Sequence, residues 1–512
     1  MLIKIAVLFI LLIICKMVYE YVYIPYRYRV RYGKYKNVKM TKNFSPFLGD
    51  ISLILQNEKD KKSKFHHYIE ESLENNGTDI RLNILGSFIA LYICSTEAMD
   101  EFERLVPSKI DRDDMSELPL GNVLAGSLGT TRSDEKWAKR RKEMTKMIGI
   151  NFCSKHIPMM IETLDKHIEA SPLNEEIDLT GLFTVVTFEI ITKIFFGKDI
   201  TENMDKMEYI CPYTGEKSML KFQEFYPKNV NEHFEGFFNI KGKIFAFLAK
   251  YNLIDPFKTN AKNTNTCYTS LVRYLDNCKD QDSVYHELVK SGNFTKHECV
   301  MDALMMLFAG FDTSSRGISG AICLLKKNPD KFEKLLKELG ESKIVKIDEV
   351  PQNQHKSVYD ECDYLNFVLK ESLRFDTPGV ESVAYQAIKD CEITGVKIPK
   401  GEKVIVNIPY AHYNPEQWQR PQEFLPERFD PEDDLFYKPG TKENRHPKSY
   451  IPFIFGLRNC LGQTLAKLEV KVLLSRFLTK VEYEIKDELM QNDYRYNMFD
   501  GRHLYGKITK KM

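Results

Sequence analysis

Apolar residues near the amino terminus form one long run. Every position from Ile5 to Cys15 is apolar, and the apolar character continues to Ile24 with only two charged interruptions. A segment of about 20 apolar residues is long enough to cross the hydrocarbon core of a bilayer. The pattern therefore predicts a transmembrane anchor over residues 1–24. A cleaved signal peptide is the alternative, but no small-x-small cleavage site follows the run.

A basic linker follows the predicted anchor. From Pro25 to Gly49 the chain carries Lys and Arg but no acidic residue. Because positive charge collects on the cytosolic side of a membrane span, the body of the protein is expected to face the cytosol. Pro46 and Gly49 predict a hinge near the end of this linker, which spans residues 25–49.

The body of the chain, residues 50–512, is patterned mainly as helices. It has no internal repeat or long Gly/Ser linker, which favours one large domain. The clearest helix begins at a Thr295 capping box and runs to about Lys327, a length of about 50 Å. Three short alternating segments predict strands, at 391–393, 396–398 and 403–406. Helical bulk with a small sheet predicts an α+β, mainly α, fold.

The middle of the long helix is unusual. It contains Gly310 and Asp312, although a helix that crosses a core needs apolar packing along its length. Glycine weakens a helix, and a buried acid is unfavourable without a partner. This local conflict with packing predicts a functional site in the middle of the helix.

Composition excludes several classes of protein. Of 512 residues, 73 are Lys or Arg and 72 are Asp or Glu, so there is no bulk charge to attract nucleic acid. The eleven cysteines contain no C-x-x-C pair, which argues against a disulfide framework and against a zinc site. Most of the cysteines are therefore expected to be small buried side chains.

One cysteine lies in a specific motif. The segment 453–462 reads F-x-x-G-x-R-x-C-x-G, and Cys460 comes just before a predicted helix. Backbone N–H groups and the positive end of that helix can hold a thiolate, which is a strong metal ligand. Gly456 and Gly462 would let the backbone approach a flat cofactor, and Arg458 supplies a cation for a carboxylate. Together these residues suit an iron porphyrin held by a thiolate.

The motif resembles the haem-binding segment of the cytochrome P450 family in its membrane-anchored eukaryotic form. Glu371 and Arg374 match the E-x-x-R of that family, and Arg428 lies in a matching P-E-R-F segment that would complete a charge cluster. A surface ion pair is the alternative for E-x-x-R taken alone. The order of the motifs along the chain favours the structural cluster.

The resemblance assigns residues to the haem propionates. Trp137 and Arg141 match the W-x-x-x-R of the family and would hold a propionate with Arg458, while Phe453 opens the cysteine motif beside the cofactor. One position departs from the family pattern. Tyr385 stands where members commonly carry Arg or His as a further propionate partner. A phenol donates a single uncharged hydrogen bond, so the arrangement on that side is expected to differ.

The resemblance also explains the middle of the long helix. Ala309 and Gly310 would border the cofactor, and Gly310 would make room for dioxygen. Thr313 would hydrogen-bond the oxygen molecule during its activation and bend the helix locally, and Asp312 would help to relay protons. The alternative for Thr313 is a hydroxyl that bonds back to its own helix.

The resemblance implies a cytochrome P450 monooxygenase with haem b as the cofactor and Cys460 as the axial ligand. Electrons from NADPH would arrive through NADPH–cytochrome P450 reductase, or through cytochrome b5, and one atom of O2 would enter a lipophilic substrate. The implied location is the endoplasmic reticulum membrane, with a single span and residues 50–512 in the cytosol. Three lysines lie on the face of the Trp137 helix opposite the propionate pair and would help to receive the reductase, with a merely solvated stripe as the alternative: Lys139, Lys142 and Lys146.

Two other functions are compatible with the same fold. An isomerase or dehydratase acting on lipid hydroperoxides needs neither electrons nor a proton relay, so an intact Asp312 and Thr313 weigh against it. A haem-binding protein without catalysis would have no use for the relay or for the lysines. The substrate itself is not encoded in any of these motifs.

Overall fold

The computed structural model describes residues 2–42, 44–60, 62, 66–74, 77–113, 124–238, 253–278, 281–485 and 503–511. The chain forms two compact units, each assembled from three separate stretches. Unit 1 comprises Met1–Asp113, Val380–Pro421 and Tyr437–Asn459, and unit 2 comprises Asp114–Gly379, Gln422–Phe436 and Cys460–Met512. The predicted α+β, mainly α, class is confirmed.

Helices dominate the described residues. The α-helices are α1 Leu2–Val18, α2 Ile24–Tyr32, α3 Ile51–Lys59, α4 His66–Glu74, α5 Thr96–Leu105, α6 Glu135–Met147, α7 Ile150–Lys155, α8 Ile157–Ala170, α9 Leu179–Phe196, α10 Ile200–Asn203, α11 Phe222–Phe238, α12 Phe257–Asn277, α13 Val284–Lys290, α14 Lys296–Lys327, α15 Pro329–Glu341, α16 His355–Asp360, α17 Asp363–Phe375, α18 Ile408–His412 and α19 Gln463–Lys480. The long helix predicted from the Thr295 capping box is α14, and both hydrogen bonds of the box are present.

The strands are short. They are β1 Val38–Lys39, β2 Ile80–Leu85, β3 Phe88–Ile93, β4 Ile110–Arg112, β5 Ile177–Asp178, β6 Met207–Ile210, β7 Lys217–Leu220, β8 Tyr385–Ala387, β9 Cys391–Ile393, β10 Val396–Ile398, β11 Lys403–Val406, β12 Val481–Ile485 and β13 Tyr505–Lys511. The three strands expected from the sequence are β9, β10 and β11, with the predicted limits.

Unit 1 is built around a six-stranded sheet with the order β1-β2-β3-β11-β8-β4, in which β1 with β2 and β3 with β11 are the parallel pairs. Its alternating apolar side chains pack against α5 and against the β9–β10 hairpin in one core. The predicted hinge is attached to this sheet. Gly49 donates its N–H to the Ser45 carbonyl, and Asp50 donates to the carbonyl of Ile84 in β2.

The amino-terminal helices also belong to unit 1. Between α1 and α2 lies a π-helical turn over Tyr19–Tyr23. Six apolar side chains of α1 are exposed, namely those of Val7, Leu8, Leu11, Leu12, Ile14 and Val18. Among the described residues, the one helix of at least 18 residues that is apolar enough to cross a membrane is α9, and 72% of it is buried. Helix α9 is therefore a core helix, and the anchor over residues 1–24 stays a prediction.

Unit 2 is a helical assembly around α14. Helix α9 packs along α14, where Thr187 donates a hydrogen bond to the Phe311 carbonyl and Phe188 meets the Phe311 ring edge-on. Helices α17 and α19 contact other parts of α14. Most of α14 is consequently buried, as its apolar sequence predicts.

Candidate functional site

The cysteine motif forms an irregular loop before α19. Ile454 and Gly456 both have positive φ angles, of 57° and 69°, and a 3₁₀ turn covers Gly456–Arg458. A left-handed backbone is unfavourable for a branched residue such as Ile454, so the loop is locally strained. Strain of this kind collects where a side chain must be held in one place, and the side chain that this loop presents is Cys460.

The Cys460 thiol is exposed to solvent but closely surrounded by protein. Desolvation raises its pKa, whereas the backbone N–H groups of Gly462 and Gln463 and the charges of Arg141 and Lys467 act in the opposite direction. The backbone donors are where the sequence predicted them. Their effect on the pKa is smaller than that of desolvation, so they do not hold a thiolate without further positive charge.

Most of the other cysteines behave as small buried side chains. Seven of the eleven are buried, and Cys15 is the one other exposed cysteine. No group of three or more His, Cys, Asp or Glu side chains could hold a metal ion in the part of the chain that the structure describes.

Trp137 and Arg141 share one face of α6. The Arg141 guanidinium lies 5.5 Å from the Trp137 ring centroid, and its charge favours the Cys460 thiolate. The structure thus brings Arg141 and Cys460 together. The indole N–H of Trp137 donates to the Leu128 carbonyl at 3.0 Å, so the tryptophan holds a neighbouring loop in addition to any role at a cofactor.

Sequence reasoning missed Arg140, the residue before Arg141. Its side chain is buried and forms a double contact with Asp302 of α14, at 2.9 Å from Nε and 2.5 Å from Nη2. Desolvation raises the pKa of Asp302 to about 6 in spite of the arginine. The one feature of the sequence that could have indicated this contact was the presence of two adjacent arginines after the tryptophan.

Helix α14 has one accessible stripe. The partly exposed residues in its middle recur every three or four positions, which places them on one face. They are Met305, Ala309, Gly310, Asp312, Thr313 and Arg316. The oxygen-activation residues expected from the sequence therefore lie together on the one accessible face of an otherwise buried helix.

Thr313 and Asp312 both have partners on their own helix. The Thr313 hydroxyl donates to the Ala309 carbonyl at 2.7 Å, and the Asp312 carboxylate pairs with Arg316 at 3.0 Å. Burial raises the pKa of Asp312, and the charge of Arg316 opposes that shift. The alternative of a hydroxyl bonded back to its helix is thus what the structure shows for Thr313, and α14 is helical without interruption there.

Gly310 has a packing role that the sequence did not predict. A Cβ atom at this position would lie 2.2 Å from Cδ1 of Ile191 in α9. Glycine at this position leaves room for the Ile191 side chain where the two helices pack together. Packing against Ile191 is thus a second role for Gly310, and the expectation that it makes room for dioxygen stays a prediction.

Glu469 of α19 is a second buried acid beside this stripe. Desolvation raises its pKa to about 8, and the Ser314 side chain lowers it only slightly. Its Oε1 atom is buried and has no hydrogen-bond partner among the described residues. At neutral pH, Glu469 is therefore mostly an uncharged carboxylic acid next to the residue that follows Thr313.

The E-x-x-R cluster is fully buried. Glu371 accepts hydrogen bonds from Arg374 at 2.8 and 2.9 Å and from Arg428 at 3.1 Å, and all three residues are 0% exposed. The backbone N–H of Leu425 also donates to Glu371, at 2.9 Å. Glu371, Arg374 and Arg428 thus form a buried charge cluster and not a surface ion pair.

Unit 1 carries the rest of the cysteine motif. Gly456 lies against α5, where an added Cβ would be 2.7 Å from Oε1 of Glu103. Arg458 is buried with Nη2 3.4 Å from Asp111, and burial together with the charge of Arg112 lowers its pKa to about 10. The cation predicted at Arg458 is thus part of a group of two arginines. Phe453 lies in the loop just before, partly exposed.

Arg112 is a further residue that sequence reasoning missed. It is 5% exposed, donates from Nη1 to the Val383 carbonyl at 2.9 Å and lies over the Tyr385 ring at 4.6 Å. Its Nε atom is buried without a hydrogen-bond partner. Among the described residues no carboxylate lies within ion-pair distance of this guanidinium, which leaves a buried cation suited to an anionic group.

Comparison with known proteins identifies the family. The Cytochrome P450 family profile matches residues 121–499, about three quarters of the chain. This range includes the motifs from Trp137 to Glu469. The chain belongs to the cytochrome P450 family.

Individual relatives are distant. Cytochrome P450 4V2 of Rattus norvegicus is 28% identical over 378 residues, which cover 68% of this chain and 66% of that protein. Cytochrome P450 3A28 of Bos taurus is 27% identical over 382 residues, covering 69% and 68% respectively. Thromboxane-A synthase of Sus scrofa is 35% identical over 191 residues, covering 37% and 33%. The match thus spans about two thirds of the length of the P450 4V2 relative.

Membership of the family implies haem b held through a cysteine thiolate. The residues present suit such a group. Cys460 offers an exposed sulfur with backbone donors and Arg141 close to it. The orphaned guanidinium nitrogen of Arg112 suits a carboxylate such as a haem propionate.

Proposed function

We propose that this chain is a cytochrome P450 monooxygenase that places one atom of O2 in a lipophilic substrate and releases the other as water. The observation that carries the proposal is the position of Cys460, an exposed thiol just before α19 with cationic and N–H groups around it. Haem b, when bound, would supply the redox-active iron that activates oxygen.

A thiol, a glycine and two arginines would hold the cofactor. Cys460 would be the ligand of the haem iron, and Gly462 keeps the backbone beside it free of a side chain. Arg141 and Arg458 are the proposed partners of the propionates, as cations for carboxylates. Trp137 supports Arg141, whose guanidinium lies over its ring.

Proton transfer would be the contribution of α14. The reaction consumes two protons and two electrons for each oxygen atom transferred, and the protons must reach O2 from the protein or from water. Thr313 can pass its hydroxyl proton only by giving up its bond to the Ala309 carbonyl. Asp312 collects a proton from solvent more readily when its ion pair with Arg316 opens, because that pair favours the ionised carboxylate. Both residues therefore act as proton carriers by exchanging one partner for another.

Electrons would come from NADPH through a separate reductase, with cytochrome b5 as an alternative donor. The lysines proposed to receive it are exposed on α6, where Lys139 and Lys146 have 68% and 59% of their side chains accessible. Each pairs with a glutamate of the same helix, Glu135 or Glu143. An acidic partner would have to compete with these glutamates, so docking is expected to weaken at high salt.

The proposed location is the endoplasmic reticulum membrane. Exposed apolar side chains of α1 support an anchor over residues 1–24, and the basic linker over residues 25–49 supports a cytosolic body. Part of that linker is already engaged by the body, since Arg31 pairs with Glu402 at 2.6 Å.

Two measurements on the purified holoprotein test this function. The reduced carbon monoxide complex should have the strongly red-shifted Soret band of a thiolate ligand. NADPH with added reductase should drive product formation, and neither should do so alone. A screen of spectral shifts with fatty acids, sterols and xenobiotics would then identify the substrate class.

A pair of variants tests the ligand. Cys460→Ser should lose the red-shifted band, whereas Cys278→Ser, at a partly exposed cysteine beside Tyr274, should keep it. Retention of the band in Cys460→Ser would remove Cys460 as the ligand. A shift of the band in both variants would point to misfolding in place of ligand loss.

Isomerisation or dehydration of a lipid hydroperoxide is the second candidate function. The partial similarity to thromboxane-A synthase favours it. The accessible position of Asp312 and Thr313 favours the monooxygenase, because the second reaction needs no protons for O2. Turnover of a hydroperoxide without NADPH or reductase would establish the second function, and binding of haem without either turnover would indicate a non-catalytic protein.

A further inference from the structure

Both polar backbone groups of Leu128 are held by side chains from helices. Its N–H donates to Oδ1 of Asp302 in α14 at 2.7 Å, and its carbonyl accepts from the Trp137 indole in α6 at 3.0 Å. Leu128 is buried within the loop 124–131. A loop residue held in this way has little freedom to move.

Arg140 is the other part of this connection. Its Nη1 atom donates to the Gly126 carbonyl at 2.9 Å, while its remaining nitrogens contact both oxygens of Asp302. Asp302 therefore binds Arg140 and Leu128 at once, and the arginine binds Asp302 and Gly126 at once. The pair joins α6, α14 and the loop 124–131 through buried, charge-assisted hydrogen bonds, which are the strong class.

The loop meets α14 at the end of its accessible stripe. A Cβ atom on Gly129 would overlap Cε and Sδ of Met305, so the loop lies in close contact with this side chain. Met305 is partly exposed and lies one turn before Ala309 on the same face. The loop 124–131 consequently borders the face that carries Thr313.

We propose that Arg140 and Asp302 are positioning residues that fix the loop 124–131 against Met305 and thereby set one wall of the substrate cavity. This inference rests on the proposed function for the identity of the cavity. The buried pair acts through Leu128 and touches neither Cys460 nor Thr313. It determines which molecules fit beside the accessible stripe, and it leaves the oxygen chemistry itself unchanged.

Hydrogen exchange of the peptide 124–131 tests the connection without any assay of the loaded enzyme. Asp302→Asn keeps the side-chain shape but removes the charge that Leu128 and Arg140 bind. We expect exchange of the Leu128 amide to be about tenfold faster, as is typical when a charged acceptor is lost. Arg140→Lys, which keeps the charge but loses the double contact, should give a smaller increase. It serves as the second variant if Asp302→Asn does not fold.

Imidazole ligands test the cavity. The ratio of the dissociation constants of 4-phenylimidazole and imidazole, measured from the haem spectrum, reports the space for a bulky group, and imidazole itself controls for haem binding. We expect the ratio to change about tenfold in Asp302→Asn and Arg140→Lys, as one misplaced contact in a pocket does.

A matched control is available in the same unit. Arg476 is also buried and forms a double contact with Asp165, at 2.9 and 2.5 Å, between α19 and α8. Arg476→Gln should lower stability but should leave the exchange of peptide 124–131 and the imidazole ratio as in the wild type. Equal changes in this control would overturn the proposal, because they would reflect general loosening.

Two other outcomes would overturn it. If exchange at Leu128 is unchanged in Asp302→Asn, the pair does not fix the loop. If exchange rises but the imidazole ratio stays the same, the loop is not a wall of the cavity. Failure of the proposed function is recognised separately, because the wild-type protein would then lack the red-shifted carbon monoxide band.

Discussion

Asp312 and Arg316 form an ion pair within one turn of α14, with Nε of the arginine 3.0 Å from Oδ2 of the aspartate. Each side chain is only 15% exposed. Burial raises the pKa of Asp312, and the charges of Arg316 and, more weakly, His503 oppose that shift. Arg316 therefore helps to keep ionised the acid that we propose as a proton carrier.

Removal of Arg316 should shift the pH dependence of coupling. In Arg316→Gln, desolvation acts on Asp312 with less opposition, so the pKa of Asp312 rises further and the carboxylate is lost at a higher pH. As the pH is lowered, the amount of product formed per NADPH should therefore begin to fall at a higher pH than in the wild type. In Arg316→Lys this decrease should begin near the pH found for the wild type. In Asp312→Asn the decrease at low pH should be absent. The same decrease at low pH in the wild type and in all three variants would contradict a role for Asp312.

Loss of the Thr313 hydroxyl should uncouple electron flow from product. Thr313→Ala removes the group that now donates to the Ala309 carbonyl, and it leaves the rest of the accessible stripe unchanged. We expect product formation to fall by about a hundredfold, the lower range for a positioned proton carrier, with electrons released as peroxide. Thr313→Ser should retain most of the coupling. Equal peroxide yields from both variants would remove Thr313 from the relay.

Glu469 should make the protein less stable at high pH. Its pKa in the folded protein is about 8, against an ordinary value of 4.5. Between these values the folded state holds a proton that the unfolded chain has released, so the free energy of unfolding falls by roughly 1 kcal/mol per pH unit. The stabilisation that protonated Glu469 contributes is fully present below pH 4.5 and is lost as the pH rises through 8.

Glu469→Gln should remove this dependence, because the amide does not titrate. The stability of the variant relative to the wild type should increase steadily from pH 5 to pH 8, as measured by urea unfolding. Glu482→Gln, at a side chain that is 56% exposed, is the control and should show no such trend. A constant difference across this pH range would contradict a buried neutral acid.

The buried cluster around Glu371 predicts that removal of the glutamate lowers the free energy of unfolding more than removal of one arginine does. Glu371→Ala leaves two buried arginines facing each other, which should lower the free energy of unfolding by about 3–5 kcal/mol. Arg428→Ala should have a smaller effect, because Glu371 keeps Arg374 and the N–H of Leu425. The urea concentrations at the midpoints of unfolding, measured at one pH, would show which of the two variants is less stable. An equal or larger loss in Arg428→Ala would contradict Glu371 as the centre of the cluster.

The limits of several helices and strands could be predicted from local sequence patterns, whereas contacts between residues far apart in the sequence could not. The Thr295 capping box and the limits of β9 to β11 depend on neighbouring residues, so the sequence predicts them correctly. The motif singled out Arg141, whereas the buried contact of Arg140 depends on Asp302, which is 162 positions away and is not part of any local pattern. The contact between Gly310 and Ile191 is likewise a property of helix packing that no single motif encodes.

Arg112 and Tyr385 oppose each other directly in the β4–β8 ladder. Residues opposite each other in an antiparallel pair project to the same face, and here the guanidinium lies 4.6 Å from the ring centroid. The sequence indicated a missing cation at Tyr385. Across the ladder from it, the structure has a buried guanidinium whose Nε atom has no hydrogen-bond partner.

Arg112→Gln should therefore weaken the retention of haem. A charge-assisted hydrogen bond to a propionate would be replaced by a neutral one, and we expect transfer of haem to apomyoglobin to be about tenfold faster. Introducing Tyr385→Arg into the Arg112→Gln protein should restore slow transfer, because it returns a cation to the same face of the sheet. Lys109→Gln, beside β4 and outside the ladder, is the control and should transfer haem as the wild type does. If Arg112→Gln lowers stability but leaves the transfer rate unchanged, Arg112 serves only to cover Tyr385 and to bind the Val383 carbonyl.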